Sequence, residues 1–316
     1  MKFSSLAPSL LFATIITSSS AFLPSFSHSH STVSQAWKKK TDDSFSTQLQ
    51  SSEESSNDDF MASLQQRINQ VEKRENKVPL VILDCMLPRQ LMKIQVKNPL
   101  LMELVRTQME KENPTFGMLG MAILTTGEKI NLTTGVEVEL LEKPVFIDEG
   151  VLMVLKAGRR FMITGEVDNT EQGWTEARVK YLDFQEQEEE EVRKSDDRMA
   201  VARAIMKAKE LTTPNANMVN NVSLVDRWIE LARENEKRPE QIDELLEELG
   251  EIPPEDEPSE RALWVGALIN PLPSLGVAME IRPALLTATT AEKRVEIVCE
   301  GILKSIRHMD GTSKMW

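Results

Sequence analysis

The apolar residues of this chain change their period once, and that change limits the fold more than any other feature. From Pro79 to Asp183 they fall in short runs and two-residue alternations. From Met199 to His308 they recur at every third or fourth position. A chain that reads as strands first and helices second folds as α+β, with the two kinds of element segregated, rather than as βα units around a parallel sheet.

The first part reads as follows. Pro79 to Leu83 and Leu91 to Val96 are compact apolar strand candidates. Asn98-Pro99 opens a helix, because Asn accepts from free amides and Pro tolerates the first helical position. Leu101, Leu104, Val105 and Met109 supply its apolar repeat, and Asn113-Pro114 ends it. Phe116 to Leu124 returns to strand texture, and a Gly127 turn follows. Val136, Val138 and Leu140 then alternate with Glu137, Glu139 and Leu141. Val151 to Lys156 and Phe161 to Thr164 are two further runs, with a hairpin turn expected at Ala157-Gly158-Arg159. Ala177, Val179 and Tyr181 alternate with Arg178 and Lys180. Six or seven short strands with one early helix predict a small β-barrel or rolled sheet.

Helices follow over Met199 to Leu211, Ser223 to Glu236, Pro239 to Leu249, Ser259 to Ile269 and Ala291 to His308. Ser223 and Asp226 have capping-box spacing, with Leu224, Val225, Trp228 and Ala232 on one face. Gly250 stops the third of these helices, and Glu251 to Pro258 is an exposed loop. The last presents Val295, Val298, Ile302 and Ile306. The expected organisation is a β domain over 78–184, an acidic linker over 185–197, a C-terminal helical bundle over 198–308 and a tail over 309–316. The linker reads as a solvated hinge, since its glutamates repel one another.

Serine marks an earlier boundary: residues 1–59 hold 17 serines and residues 60–316 hold 7. Lys2, the apolar stretch from Leu6 to Ile16 and the small residues Ser18-Ser19-Ser20-Ala21 read as a signal peptide over 1–21, cut between Ala21 and Phe22. A disordered Ser-rich transit segment over 22–59 and a lead-in helix over 60–77, carried by Leu64, Ile68 and Val71, complete the leader. Ser20-Ala21-Phe22-Leu23-Pro24 resembles the cleavage junction of bipartite plastid presequences in secondary-plastid algae such as diatoms, with Leu23 where Ala is usual. That resemblance implies a plastid (chloroplast) address. The alternative is plain secretion, which would make Asn131-Leu132-Thr133 and Asn221-Val222-Ser223 glycan acceptors rather than chance triplets.

Several segments of the body share a likeness. Val78-Pro79-Leu80-Val81-Ile82, Asn98-Pro99-Leu100-Leu101, Phe116-Gly117-Met118, Thr134-Gly135-Val136, Gly158-Arg159-Arg160-Phe161-Met162-Ile163 and Ala177-Arg178-Val179-Lys180-Tyr181 come in that order. Ala284-Leu285-Leu286 and Glu292-Lys293-Arg294-Val295 follow. Together they resemble the amino-terminal substrate-binding domain of the Lon protease family, over about Val78 to Ile302. Val295 stands where that family usually has Leu, and the order of Thr134 and Gly135 is altered. The resemblance implies a PUA-like (pseudouridine-synthase-associated-like) barrel followed by helices, and a role in binding protein segments.

Several functions are disfavoured. The formal charge of −13 argues against a nucleic-acid partner. Leader charges of 4 bases and 6 acids leave the body 33 against 44, a net −11. Cys85 and Cys299 cannot build a disulfide framework or a four-thiolate metal site. No apolar run reaches the roughly 20 residues of a membrane span. Gly127-Glu128-Lys129 and Gly311-Thr312-Ser313-Lys314 lack the spacing of a phosphate-binding loop. His28 and His30 lie in the leader, so His308 is the one histidine of the body. The expectation is a stand-alone recognition module, not an enzyme, with no cofactor and no metal. It would bind unfolded or peptide segments, or a protease or chaperone partner. The methionines Met118, Met121, Met153 and Met162 fall in strands, and Met suits adaptable apolar contacts. Phe116, Met118 and Met121 are the candidate peptide-contact residues. Two other readings remain open: a structural subunit or assembly factor of a plastid complex, and a carboxylate enzyme, which would need a polar pocket with perturbed acids.

Overall fold

Lys77 opens the first strand, and from there the chain was followed in a computed structural model that describes residues 77–111, 113–123, 127–182, 198–214 and 221–312. The expected signal peptide, the Ala21–Phe22 junction, the transit segment, the lead-in helix up to Lys77 and the acidic linker lie outside the described residues.

Among the described residues seven strands and one helix come first: β1 (Lys77–Ile82), β2 (Leu91–Val96), α1 (Pro99–Met109), β3 (Thr115–Ile123), β4 (Lys129–Leu140), β5 (Val145–Ile147), β6 (Gly150–Asn169) and β7 (Thr175–Tyr181). The sheet order is β2-β6-β4-β3-β1-β7, and β6 also pairs with β7. The strands β1, β3, β4, β6 and β7 therefore close on one another as a barrel, while β2 and β5 flank the first part of β6. β1 and β3 run parallel, and the other pairs are antiparallel. The expected α+β class, with a small barrel ahead of helices, is what the chain adopts.

One expectation fails here. Ala157-Gly158-Arg159 is not a hairpin turn, because β6 runs unbroken from Gly150 to Asn169. Ala157 sits in mid-sheet, opposite Val138 of β4 and bonded to the backbone of Arg89 and Gln90 on its other side. Glycine in such a run suggests a chain reversal. A strand with neighbours on both edges has its backbone satisfied and needs no turn there.

The barrel interior holds Val78, Leu80, Leu119, Phe161, Ala177 and Val179. Phe161 fills the centre because two glycines leave it room. A Cβ on Gly117 would lie 2.8 Å from the Phe161 ring, and one on Gly135 would lie 3.0 Å from it. Gly117 of β3 and Gly135 of β4 are thus packing devices for one aromatic ring.

Among the described residues six helices follow: α2 (Arg198–Glu210), α3 (Leu224–Glu234), α4 (Gln241–Leu249), α5 (Pro258–Ile269), α6 (Arg282–Thr287) and α7 (Ala291–Met309). Their ends obey local chemistry. The Ser223 hydroxyl accepts from Asp226 N at 3.1 Å and bonds the Asp226 carboxylate at 2.6 Å. Gly250, at φ +69°, ends α4 as its position predicts. The faces read from the sequence are the buried ones: Leu224, Val225, Trp228 and Ala232 on α3, and Val295, Val298, Ile302 and Ile306 on α7. The short α6 was not foreseen as a helix.

A single large apolar cluster runs from the outer faces of the strands into the helices. The loop after β1 belongs to it, with Met86 and Leu87 fully buried. Gln90 fixes that loop: its amide donates to Asn270 O at 2.8 Å, and its oxygen accepts from Leu87 N at 2.8 Å. One buried arginine joins strand to helices and a second ties helices together. Arg160 of β6 donates to Leu286 O at 3.4 Å, and Arg294 of α7 donates to Ser259 Oγ at 2.6 Å and Ala288 O at 3.1 Å.

Candidate functional site

α1 is positioned by its cap. The Asn98 side chain accepts from Leu100 N at 2.9 Å and Leu101 N at 3.2 Å, and Pro99 takes the first helical place. This holds Leu100, Leu101 and Leu104 over the end of β1. The β6–β7 turn meets the same helix. Thr170 N donates to Trp174 O at 2.8 Å, Gly173 N donates to Thr170 O at 3.0 Å, and Gly173 takes φ +97° beside the Leu100 side chain. Trp174 is thereby buried under α1, with its indole N–H on Glu176 at 3.2 Å.

Between these elements lies a cavity of about 260 Å³. Leu80, Val81, Ile82 and Leu119 line it from β1 and β3. α1 gives Leu100, Leu101 and Leu104, β4 gives Asn131, Leu132 and Thr133, and β6 gives Ile163 and Val167, with Trp174 from the turn and Thr175 from the start of β7. None of the lining residues is ionisable, although 28% of the chain is Asp, Glu, Lys or Arg. Val167 stands 53% exposed at the lip. A dry engineered cavity of about 150 Å³ accepts a benzene ring. This one has room for an aromatic side chain and part of a second residue.

The cavity exists because two strands bulge. Between Asn131 and Gly135, β4 inserts three residues against one on β3. Between Ile163 and Val167, β6 inserts three against one on β7. Extra residues bend a strand and sharpen its twist. The two hairpins are thereby turned apart, and their apolar side chains are left around a hollow instead of against each other.

The expected contact residues fare differently. Phe116 and Met118 are buried, at 0% and 1% exposure, within the main core. They form no surface patch, because on β3 their side chains point to the face that the helices cover. Met121 is half-buried and sits opposite Asn131 of the cavity wall. Met153 is buried, whereas Met162 is exposed. Sequence reasoning missed Trp174, although a lone Trp between a glycine and a β-branched alternation was a visible signal.

Other chemistry is sparse. Among the described residues no group of three His, Cys, Asp or Glu is placed to hold a metal ion, and no helix is long and apolar enough to cross a membrane. A second cavity, of about 90 Å³, lies between β2 and α4. Burial raises the Glu248 carboxyl there, Lys93 opposes this, and no Ser, Thr, Cys or His lines it. The Tyr181 hydroxyl donates to Glu137 at 2.8 Å while Arg159 stacks over its ring at 4.0 Å; burial and then that bond push the phenol up.

Burial pushes the Cys85 thiol up to about 12 and that of Cys299 up to about 11. Both packing thiols are therefore expected to react with iodoacetamide at pH 8 about 100-fold more slowly in the native chain than in urea, since the thiolate is the nucleophile. The folded state keeps protons that the unfolded chain gives up near 9.0. The associated stability is complete below that pH and is lost as pH rises toward 11 and 12. Denaturation curves at pH 8 and pH 10.5 check the sign.

A family model for the substrate-binding domain of the ATP-dependent protease La (LON) matches residues 77–304. The chain is similar to a Lon N-terminal domain protein from Xanthomonas campestris, at 18% identity over 54% of this chain and 97% of that one, with a TM-score of 0.27. It is also similar to the N-terminal domain of the Lon protease of Mycobacterium avium complex, at 12% identity over 71% and 96%, with a TM-score of 0.40. No curated protein matches it. With the family model covering 228 of its 316 residues (304 − 77 + 1), the chain belongs to the Lon substrate-binding domain family.

Proposed function

We propose that this chain binds exposed, uncharged apolar segments of other proteins, and that the cavity between α1 and the two bulged hairpins is where it does so. The observation that carries the reading is the uncharged lining, in a chain otherwise dense in charge, with Val167 open at its lip. An apolar hollow gains from excluding water and penalises any ion brought into it. Burying two bulky apolar side chains supplies about 3–6 kcal/mol before the costs of ordering. That corresponds to weak, exchangeable capture. In this reading the chain neither hydrolyses nucleotide nor cleaves peptide bonds, and it works in a plastid, as its leader resembles a plastid presequence.

The test uses a dye-labelled nonapeptide of five Thr alternating with Leu, Phe, Val and Leu, with fluorescence anisotropy as the readout. The full chain is expected to bind it, and the same peptide with Asp at the apolar positions is not. Thr133→Glu with Val167→Glu is expected to weaken binding by about tenfold or more, since a charge at the mouth must be desolvated when the peptide docks. Both positions are exposed, so the melting temperature should hold. Equal binding of both peptides, or full affinity in the variant, would exclude this cavity. For the address, sequencing the mature amino terminus from fractionated cells should place it downstream of Ala21 in plastids; an intact Met1 would refute it.

A further inference from the structure

The cavity is bordered by strand edges as well as side chains. The β4–β6 register begins at Thr134↔Met162 and runs from there toward Leu140. In the other direction β4 continues back to Lys129 and β6 continues out to Asn169. There β4 pairs with β3, and β6 pairs with β7. Among the described residues the two strands do not pair with each other beyond Thr134 and Met162. Among the described residues the barrel wall is thus unpaired along one seam, with an edge on each side and Ile82, Leu119 and Leu132 among the apolar residues of the cavity it borders.

Resting on the reading of the cavity above, we infer that the bound segment enters this seam as an added β-strand. A strand edge presents unpaired N–H and C=O groups in a row, and another extended chain is the ligand that matches them. Side chains at alternate positions of such a strand point to one face. Those facing the cavity meet an uncharged hollow, and those between them meet water. The uncharged lining, which penalises any ion brought into it, and the two strand edges together fix the occupant: an extended stretch with uncharged apolar residues at every second position. That is the pattern of a half-buried strand from another protein, whose backbone is free to pair only while that protein is unfolded. A helical segment satisfies its own backbone and would leave both edges of the seam unpaired.

The experiment modifies the backbone of the nonapeptide described above and leaves its side chains alone. One version carries N-methyl groups at the odd positions and one at the even positions, because successive amides of a strand point to opposite edges. Ester replacement at the same sites removes the N–H without added bulk. The expected result is a loss of affinity for the full chain of about tenfold or more in at least one parity, from methyl and ester alike, as paired amides lose their partners. Unchanged affinity in both parities would overturn strand addition and leave side-chain capture standing. Failure of the unmodified peptide to bind would overturn both.

Discussion

Gly135→Ala is expected to destabilise the chain strongly. Its Cβ would lie 2.3 Å from Met118 O, 2.9 Å from a Leu119 methyl and 3.0 Å from the Phe161 ring. The carbonyl cannot withdraw cheaply, since Met118 pairs with Val136 and Leu119 with Gly135 in the same ladder. The ring is buried in the barrel interior among Val78, Leu80, Leu119, Ala177 and Val179, so it has little room to yield. Overpacking costs about 1–3 kcal/mol, and a backbone clash puts this site at the upper end. At about 2–4 °C per kcal/mol for a chain of this size, the melting temperature should fall by about 6–12 °C. Gly158→Ala is the control. Its Cβ meets only Glu137 O, at 3.5 Å, so it should stay within about 1 kcal/mol of the parent. Calorimetry on the two variants decides the matter. Equal melting temperatures would mean that the barrel interior is looser than this packing requires.

The same glycines show what the sequence disclosed. Period and capping chemistry are local, so the sequence places β2, α1, α3 and α7 within a few residues and marks the buried faces of α3 and α7. Gly158 misled because a glycine carries no mark that separates a turn from a mid-strand position. That choice was made by β2 and β4, which flank it and are distant in sequence. The polar ends of β4 and β6 escaped notice for a related reason. Asn131, Thr133 and Glu166 lack an apolar alternation, and they become strand by continuing hairpins already paired. Those ends form the unpaired seam, so the candidate site lies where the local signal is weakest. Phe116 and Met118 were chosen for residue type alone, and an apolar type in a strand says nothing about which face is covered. The family resemblance, by contrast, was legible, because it rests on the order of several short segments rather than on any one of them.

Arg294→Ala is expected to destabilise the helical part, on which Arg160 of the barrel rests, by about 1.5–3 kcal/mol, the usual worth of hydrogen bonds to a charged group. The Arg294 side chain is buried and bonded to both Ser259 Oγ and Ala288 O, so it ties the start of α5 to the end of α6. Arg160 lies close enough that burial and the Arg294 charge both disfavour its ionised form, while Glu260 opposes them. Losing Arg294 relieves that repulsion, which places the expected cost toward the lower end of the range. Arg294→Lys should recover only part of it, because one ammonium cannot match the planar fork that reaches both acceptors. Urea denaturation followed by tryptophan fluorescence reads both parts, since Trp174 reports on the barrel side and Trp228 and Trp264 on the helices. The expected curve keeps one transition with a lower midpoint, because the apolar cluster runs across the joint and neither part can shed it alone. Two separated transitions would mean that the arginine network, and not the shared core, couples strands to helices.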